Sequence, residues 1–353
     1  MARNRAHMAC PTPSSGPARR LGRLGALALA GALALAGALA LACGSGGRQA
    51  VQEINARETA AQAPAPPAST PRVALIMKTL TNPFFVDMEK GARKAQQEGR
   101  IELRVRTATQ ETSIEQQIQL VAKEIRDQVQ AIVIAPGDSM RLVPILKKAQ
   151  DAGIPIVNID NRLDAATMAG QGMKPVPFIS VDNEKGAYQA TRFVVDRIHT
   201  PTEAAVVEGI RSANNAELRK RGAERGFRSN PQLAVVAEES ANWKIDEAFA
   251  VTRALFKAHP GIGVLFCAND MMAIGAVKFL QETGRSQVRV IGFDALDEAR
   301  KAVRAGQMAV TVDQQPDQQG YLGVQTALRM LHGERVPMEL VVETRLVTPA
   351  SLK

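Results

Sequence analysis

From Arg72 onward, short apolar runs alternate with longer amphipathic ones, and that rhythm limits the fold more than any other feature. "VALIM" is followed by "FFVDMEKGARKAQQEG", "IELRVR" by "SIEQQIQLVAKEIRDQ" and "AIVIAP" by "MRLVPILKKAQDAG", and "PIVNID" ends a first set. The pattern resumes with "PFISV", "AAVVEGI", "LAVVAEE", "GVLFCAND", "VRVIGFDA" and "MAVTVD", each with a helical stretch after it. Short runs rich in Val and Ile predict strands, and apolar residues at i, i+3 and i+4 predict helices. Strands joined through helices pair in parallel, with helices covering both faces of the sheet. The fold class is therefore α/β. So many units fit two lobes of roughly 130–150 residues better than one sheet.

The N-terminal 43 residues do not share this rhythm. Arg3, Arg5, Arg19, Arg20 and Arg23 precede "LGALALAGALALAGALALAC", Leu24 to Cys43. A basic stretch, an apolar stretch and the small-x-small Ala40-Leu41-Ala42 read as a cleaved export signal. The same run is long enough to remain as a membrane anchor. Cys43, directly after it, stands where a bacterial lipoprotein is acylated, although Ala40 replaces the usual leucine. Residues 44–71, rich in Gly, Ala and Pro, read as a flexible tether. The expectation is an extracytoplasmic body, tethered to a membrane through Cys43.

Charge and cysteine content narrow the function. The net charge is +9, but the leader holds five Arg and no acid, which leaves 39 basic against 35 acidic residues, or +4. That balance does not suggest a nucleic-acid partner. Cys10 and Cys43 lie in the leader, so Cys267 alone remains, in an apolar strand, and it reads as a buried structural thiol. His7, His199, His259 and His332 are scattered, without the spacing of a zinc site.

In open parallel sheets ligands bind beyond the carboxyl ends of the strands. The polar residues there are Lys78, Asn82, Asp138, Asp160, Asn161, Asn269, Asp270, Asp294, Asp313 and Gln314. No Gly-rich phosphate loop, nucleophile elbow or HExxH helix accompanies them. Carboxylates, amides and cations without a nucleophile–base pair suit hydroxyl binding, and neither cofactor nor metal is expected.

"TNPFFVDMEKGARKA", "VNIDNR", "VDNEKGA", "FCANDMMAIGA", "VIGFDA" and "VTVDQQPDQQG" resemble, in order, the ribose-type periplasmic sugar-binding proteins. The resemblance spans Arg72 to Thr348, and "KTLTNPFF" is most similar to the fructose-binding members. It implies two similar Rossmann-like lobes joined by a three-segment hinge and closing over one sugar. The expected N-terminal lobe is 72–181 plus 315–342; the C-terminal lobe is 182–314 plus 343–353.

The resemblance also assigns ligand contacts. Phe84 and Phe85 would cover the apolar face of a sugar, and Asn82 and Lys78 would meet its hydroxyls. Asp160 would accept two neighbouring hydroxyls. Asn161 stands beside it where the family often has Arg. Asn269, Asp294 and Gln314 match the second lobe and the hinge, and Trp243 falls where a stacking aromatic is usual. The second-lobe arginine is Arg219 or Arg221, with Arg219 in better register. Plainer readings stand beside these. The Phe pair suits a core, Asn82 and Asp294 suit helix caps, Lys78 suits a bond to the lobe's own carboxylates, and Asp138 suits a turn.

The implied function is a monomeric binding protein that captures a monosaccharide or polyol and delivers it to the permease of a membrane ABC transporter. Lys78 suggests a ketose, a polyol or an acidic sugar over ribose. The same fold could instead report to a membrane histidine kinase or chemoreceptor. A sugar-acting enzyme is the remote alternative, with Asp160 and Asp294 as its carboxylate pair.

Overall fold

Strand β1 (Arg72–Met77) is central to the first sheet, and its side chains alternate between two apolar layers. Val73, Leu75 and Met77 belong to the cluster that holds Met88, Ala92 and Val324. Ala74 and Ile76 belong to the cluster that holds Val121, Leu142 and Leu146. A strand buried on both faces must be apolar throughout, and this one is. The computed structural model describes residues 70–353. The leader, Cys43 and the tether up to residue 69 lie outside the described residues.

The first lobe carries a parallel six-stranded sheet, ordered β11-β5-β4-β3-β1-β2. Its other strands are β2 (Glu102–Thr107), β3 (Ala131–Ile134), β4 (Ile156–Ile159), β5 (Phe178–Val181) and β11 (Glu339–Val342). Helices α1 (Pro83–Gly99) and α10 (Pro316–Leu331) cover one face; α2 (Ile114–Arg126) and α3 (Val143–Asp151) cover the other. A short α4 (Ala165–Gly170) follows β4. Helices α1 and α10 pack backbone to backbone. A Cβ on Gly91 would stand 1.7 Å from the Asp317 carbonyl oxygen, and one on Gly320 2.0 Å from that of Met88. Only glycine permits that approach.

The second lobe carries a parallel four-stranded sheet, ordered β7-β6-β8-β9. Its strands are β6 (Thr202–Glu208), β7 (Leu233–Ser240), β8 (Ile262–Cys267) and β9 (Arg289–Ile291). Its helices are α5 (Asn183–Val195), α6 (Asn214–Arg228), α7 (Ile245–Ala258), α8 (Asp270–Glu282) and α9 (Asp297–Arg304). The run read as "MAVTVD" does not extend this sheet as a full strand. Its end, β10 (Thr311–Asp313), pairs antiparallel with β12 (Arg345–Val347), while Val310 bridges to Ile291. The chain passes between the lobes three times: after β5, between β10 and α10, and between β11 and β12. Among the described residues no helix is long and apolar enough to cross a membrane.

Candidate functional site

The loops after β1, β2 and β4 form one wall of an interlobe cavity. Lys78 follows β1 directly. Its ammonium lies 2.8 Å from Asp160 Oδ2, 3.9 Å from Glu111 Oε2 and 5.5 Å from the centroid of the Phe85 ring. Asn82 caps α1, its Oδ1 accepting from the Phe84 N–H at 3.1 Å. Its Nδ2 stays available and donates to Glu111 Oε1 at 3.0 Å. The cap reading and the cavity position of Asn82 are therefore both realised. Phe84 and Phe85 meet edge to face with centroids 5.0 Å apart. Both line the cavity, and both also belong to the core cluster. An adjacent pair at a helix start does two jobs at once, because its rings leave the backbone in different directions.

The second wall comes from α6 and from the loops after β7, β8, β9 and β10. Arg219 on α6 is 3% exposed, and its guanidinium makes three bonds: to Asn183 Oδ1 at 2.8 Å, Ala268 O at 2.9 Å and Gln314 Oε1 at 3.1 Å. Phe293 lies 4.0 Å beneath it, and Asp294 Oδ1 lies 3.7 Å away. Asp294 also accepts from Gln314 Nε2 at 2.5 Å. Asn269 caps α8, its Oδ1 accepting from the Met272 N–H at 2.9 Å. Trp243 lies against the Gly209 backbone, where a Cβ would come within 2.1 Å of the indole.

Three cavity residues sit in strained backbone: Asp160 (φ 61°), Trp243 (φ 66°) and Asp294 (φ 125°). Such conformations cost on the order of 1–3 kcal/mol each and persist where the surroundings enforce them. Burial also acts on the charges. It pushes the Glu111 carboxyl above its ordinary value, against the pull of Lys78 and the Asn82 hydrogen bond. It raises Asp294 well above its ordinary value, opposed by Arg219. It lowers Arg219, opposed chiefly by Asp294 and Asp160. Trp243 Nε1 and Asn215 Oδ1 are buried polar atoms without a hydrogen-bond partner. Native proteins seldom leave such atoms unpaired, and hydroxyl groups are suitable partners for both.

Of the residues expected from sequence, Lys78, Asn82, Phe84, Phe85, Asp160, Arg219, Trp243, Asn269, Asp294 and Gln314 line this one cavity. Arg221 points elsewhere, more than half exposed and 3.5 Å from Glu184. Asn161 is not in the lining. Its side chain is engaged by Pro136 O, Ser139 and the Asn215 N–H, because the turn after β4 directs it toward α6 rather than into the cavity. Glu111 and Asn215 were not expected and do line it. Their stretches, "TATQETS" and "SANNAELRK", read as an ordinary polar loop and helix start. Asp138 is a turn residue, accepting from the Met140 and Arg141 N–H groups. Asp313 pairs with Arg300. Cys267 is buried, and burial pushes its thiol up.

The cavity lies between two polar walls with aromatic faces, and its lining residues are all buried. A model described as a periplasmic binding protein domain matches residues 73–335. The D-ribose/D-allose-binding protein of Pseudomonas aeruginosa is 39% identical over 279 residues, 78% of this chain and 87% of that protein. The D-allose-binding periplasmic protein of Escherichia coli is 31% identical, covering 78% and 89% of the two chains. An ABC transporter periplasmic solute-binding protein from Actinobacillus succinogenes, solved with bound D-allose, superposes with a TM-score of 0.76. It is 36% identical, covering 80% of this chain and 99% of that one.

Proposed function

The chain belongs to the periplasmic binding protein family, and from that premise we propose that it captures one monosaccharide between its lobes for an ABC importer. The observation that carries this reading is the convergence of two opposite-lobe carboxylates, Asp160 and Asp294, with amides and aromatic rings on one small cavity. Carboxylates accept from paired hydroxyls, amides both donate and accept, and rings cover the C–H face. Within the monosaccharides we favour an aldose, D-allose first. The "KTLTNPFF" string points to a ketose, polyol or acidic sugar, but the Lys78 ammonium is committed to Asp160 and Glu111. An ammonium held by two carboxylates gives little reason to select an anionic ligand. The relatives named for binding D-ribose and D-allose favour the aldose as well.

The same bonding argues for a binder rather than a catalyst. Asp160 is paired with Lys78, Asp294 is bonded by Gln314 close to Arg219, and no nucleophile–base pair joins them. We further propose a monomer at the periplasmic or extracytoplasmic face of a bacterial membrane, held through an acylated Cys43; the leader sequence supports the export and the anchor, which intact mass of the processed protein tests. Calorimetric titration with D-allose, D-ribose, D-fructose and glycerol tests the ligand. D-allose should bind tightest, and silence across the panel would overturn the reading. Overnight incubation with a panel of glycosides should leave them intact.

A further inference from the structure

Helix α6 begins without a cap of its own. Ala213 occupies the N-cap position and has no side-chain oxygen to offer the first turn. The donors of that turn are met from the other lobe. The Asn214 N–H donates to Ser139 Oγ at 3.0 Å, and the Asn215 N–H donates to Asn161 Oδ1 at 3.1 Å. Both acceptors are buried and both lie in loops beyond first-lobe strands. They are held from within their own lobe. Asn161 Nδ2 donates to Pro136 O at 3.0 Å, and Asn158 Nδ2 donates to the Asn161 carbonyl at 2.8 Å. The Ser139 N–H adds a further bond across the cleft, to Ser212 O at 3.1 Å.

The capped turn is also the one that feeds the cavity. Asn215 Nδ2 donates to Asp160 Oδ1 at 3.2 Å. Arg219 lies four residues further, on the same helix face as Asn215, and reaches Gln314 and Asp294. Fixing this turn against the first lobe therefore fixes both walls relative to each other.

We infer that Ser139 and Asn161 are positioning residues that cap α6 across the cleft and thereby raise the affinity for sugar. When the lobes separate, Ala213 supplies nothing and water serves those N–H groups. The cross-lobe cap thus stabilises only the arrangement in which both walls face the ligand, and a ligand that needs this arrangement binds tighter for it. The inference rests on the sugar-binding reading, and the test separates the two.

In the full-length protein, Ser139→Ala and Asn161→Ala should each weaken D-allose binding by about 2- to 30-fold, the range expected from losing an N-cap oxygen. Ser139→Thr keeps the hydroxyl and should bind nearly as wild type does. Ala213→Ser supplies a cap within α6 itself. It should weaken affinity less than tenfold while raising thermal stability, which loss of mere packing would not do. Amide exchange at Asn214 and Asn215 should slow on adding D-allose in wild type; the slowing should be lost at Asn214 in Ser139→Ala and at Asn215 in Asn161→Ala. Unchanged affinity in both Ala variants, with wild-type exchange at those amides, would overturn the inference. If wild type takes no sugar from the panel, the functional reading falls instead. Exchange without sugar, expected to be faster in the Ala variants, then still decides whether the cap operates.

Discussion

Lys78 and Arg219 bring the same charge to opposite walls of one cavity, but their surroundings differ. Arg219 is fixed: three of its donors meet Asn183, Ala268 and Gln314, and a ring lies beneath it. Lys78 is balanced rather than fixed, 2.8 Å from Asp160 and 3.9 Å from Glu111. A guanidinium is a planar fork that suits several directed bonds, whereas an ammonium is a point charge on a flexible stem. Damage to the second wall should therefore first be a loss of structure. Damage to the first wall should first be a loss of recognition.

The largest expected effect is on the second wall. Arg219→Met leaves Asp294 buried beside Asp270, without its cation. Removing one member of a buried ion pair typically costs about 3–5 kcal/mol. Urea unfolding should show a loss of that order, with sugar binding abolished. A loss below about 1 kcal/mol would mean that Arg219 is no more a structural fixture than Lys78, and the contrast between the walls would fail.

Asp160→Ala tests the other wall. Asp160 is also half of a buried ion pair, so stability should fall, but Glu111 remains 3.9 Å from Lys78 as a second carboxylate and the fall should be smaller than for Arg219→Met. Binding should not survive. Two charge-assisted hydrogen bonds to the ligand, each worth about 1.5–3 kcal/mol, amount to a loss of roughly 100-fold or more in affinity. Calorimetry and circular dichroism on one sample measure both quantities. A variant that binds normally removes Asp160 from the site.

A smaller effect separates the walls by pH. Asp270 stands behind the second wall, accepting from Thr311 Oγ1 at 2.7 Å and the Leu296 N–H at 2.9 Å, and so braces the loop that carries Asp294. Burial raises its carboxyl to about 6. The folded chain then keeps a proton that the unfolded chain has lost above about pH 4. Stability from this group is full below about pH 4 and is lost as pH rises through about 6. Between pH 5 and pH 7 Asp270 should cost the protein about 1 kcal/mol. Glu111 and Asp294, also raised by burial, act in the same direction. Melting temperatures at pH 5 and pH 7 should therefore differ less in Asp270→Asn than in wild type. An unchanged difference would show that the brace does not hold the proton.

The sequence was informative where function sits on regular elements. Strand ends are set by the apolar runs, so the sequence alone places Lys78, Asp160, Asn269 and Asp294 at the carboxyl ends of strands. The Phe pair and the two arginines of "LRKRG" needed the resemblance to a family, since helical periodicity alone left each with two readings. Glu111 and Asn215 escaped because what brings them in is a loop path and a lobe–lobe contact, and neither has a local pattern. Asn161 was misplaced for a related reason. Being next to Asp160 in the chain says nothing about direction when Asp160 itself has φ 61° and the backbone turns there.

The smallest expected effect concerns selectivity at the first wall. Lys78→Ser exchanges an ammonium for a hydroxyl that both donates and accepts. Asp160 would lose its 2.8 Å partner, and Glu111 would keep only the bond from Asn82. Because Lys78 is balanced by these carboxylates, its removal should lower affinity for every sugar, and the ranking among sugars should shift by less than tenfold. D-allose should remain ahead of D-ribose and D-fructose in the variant. Calorimetric titration of both proteins with the three sugars, in matched buffer, measures the ranking. A reversal in favour of D-ribose in the variant would show that Lys78 selects the ligand directly, and the first wall would then be a fixture for the sugar rather than a charge balance around it.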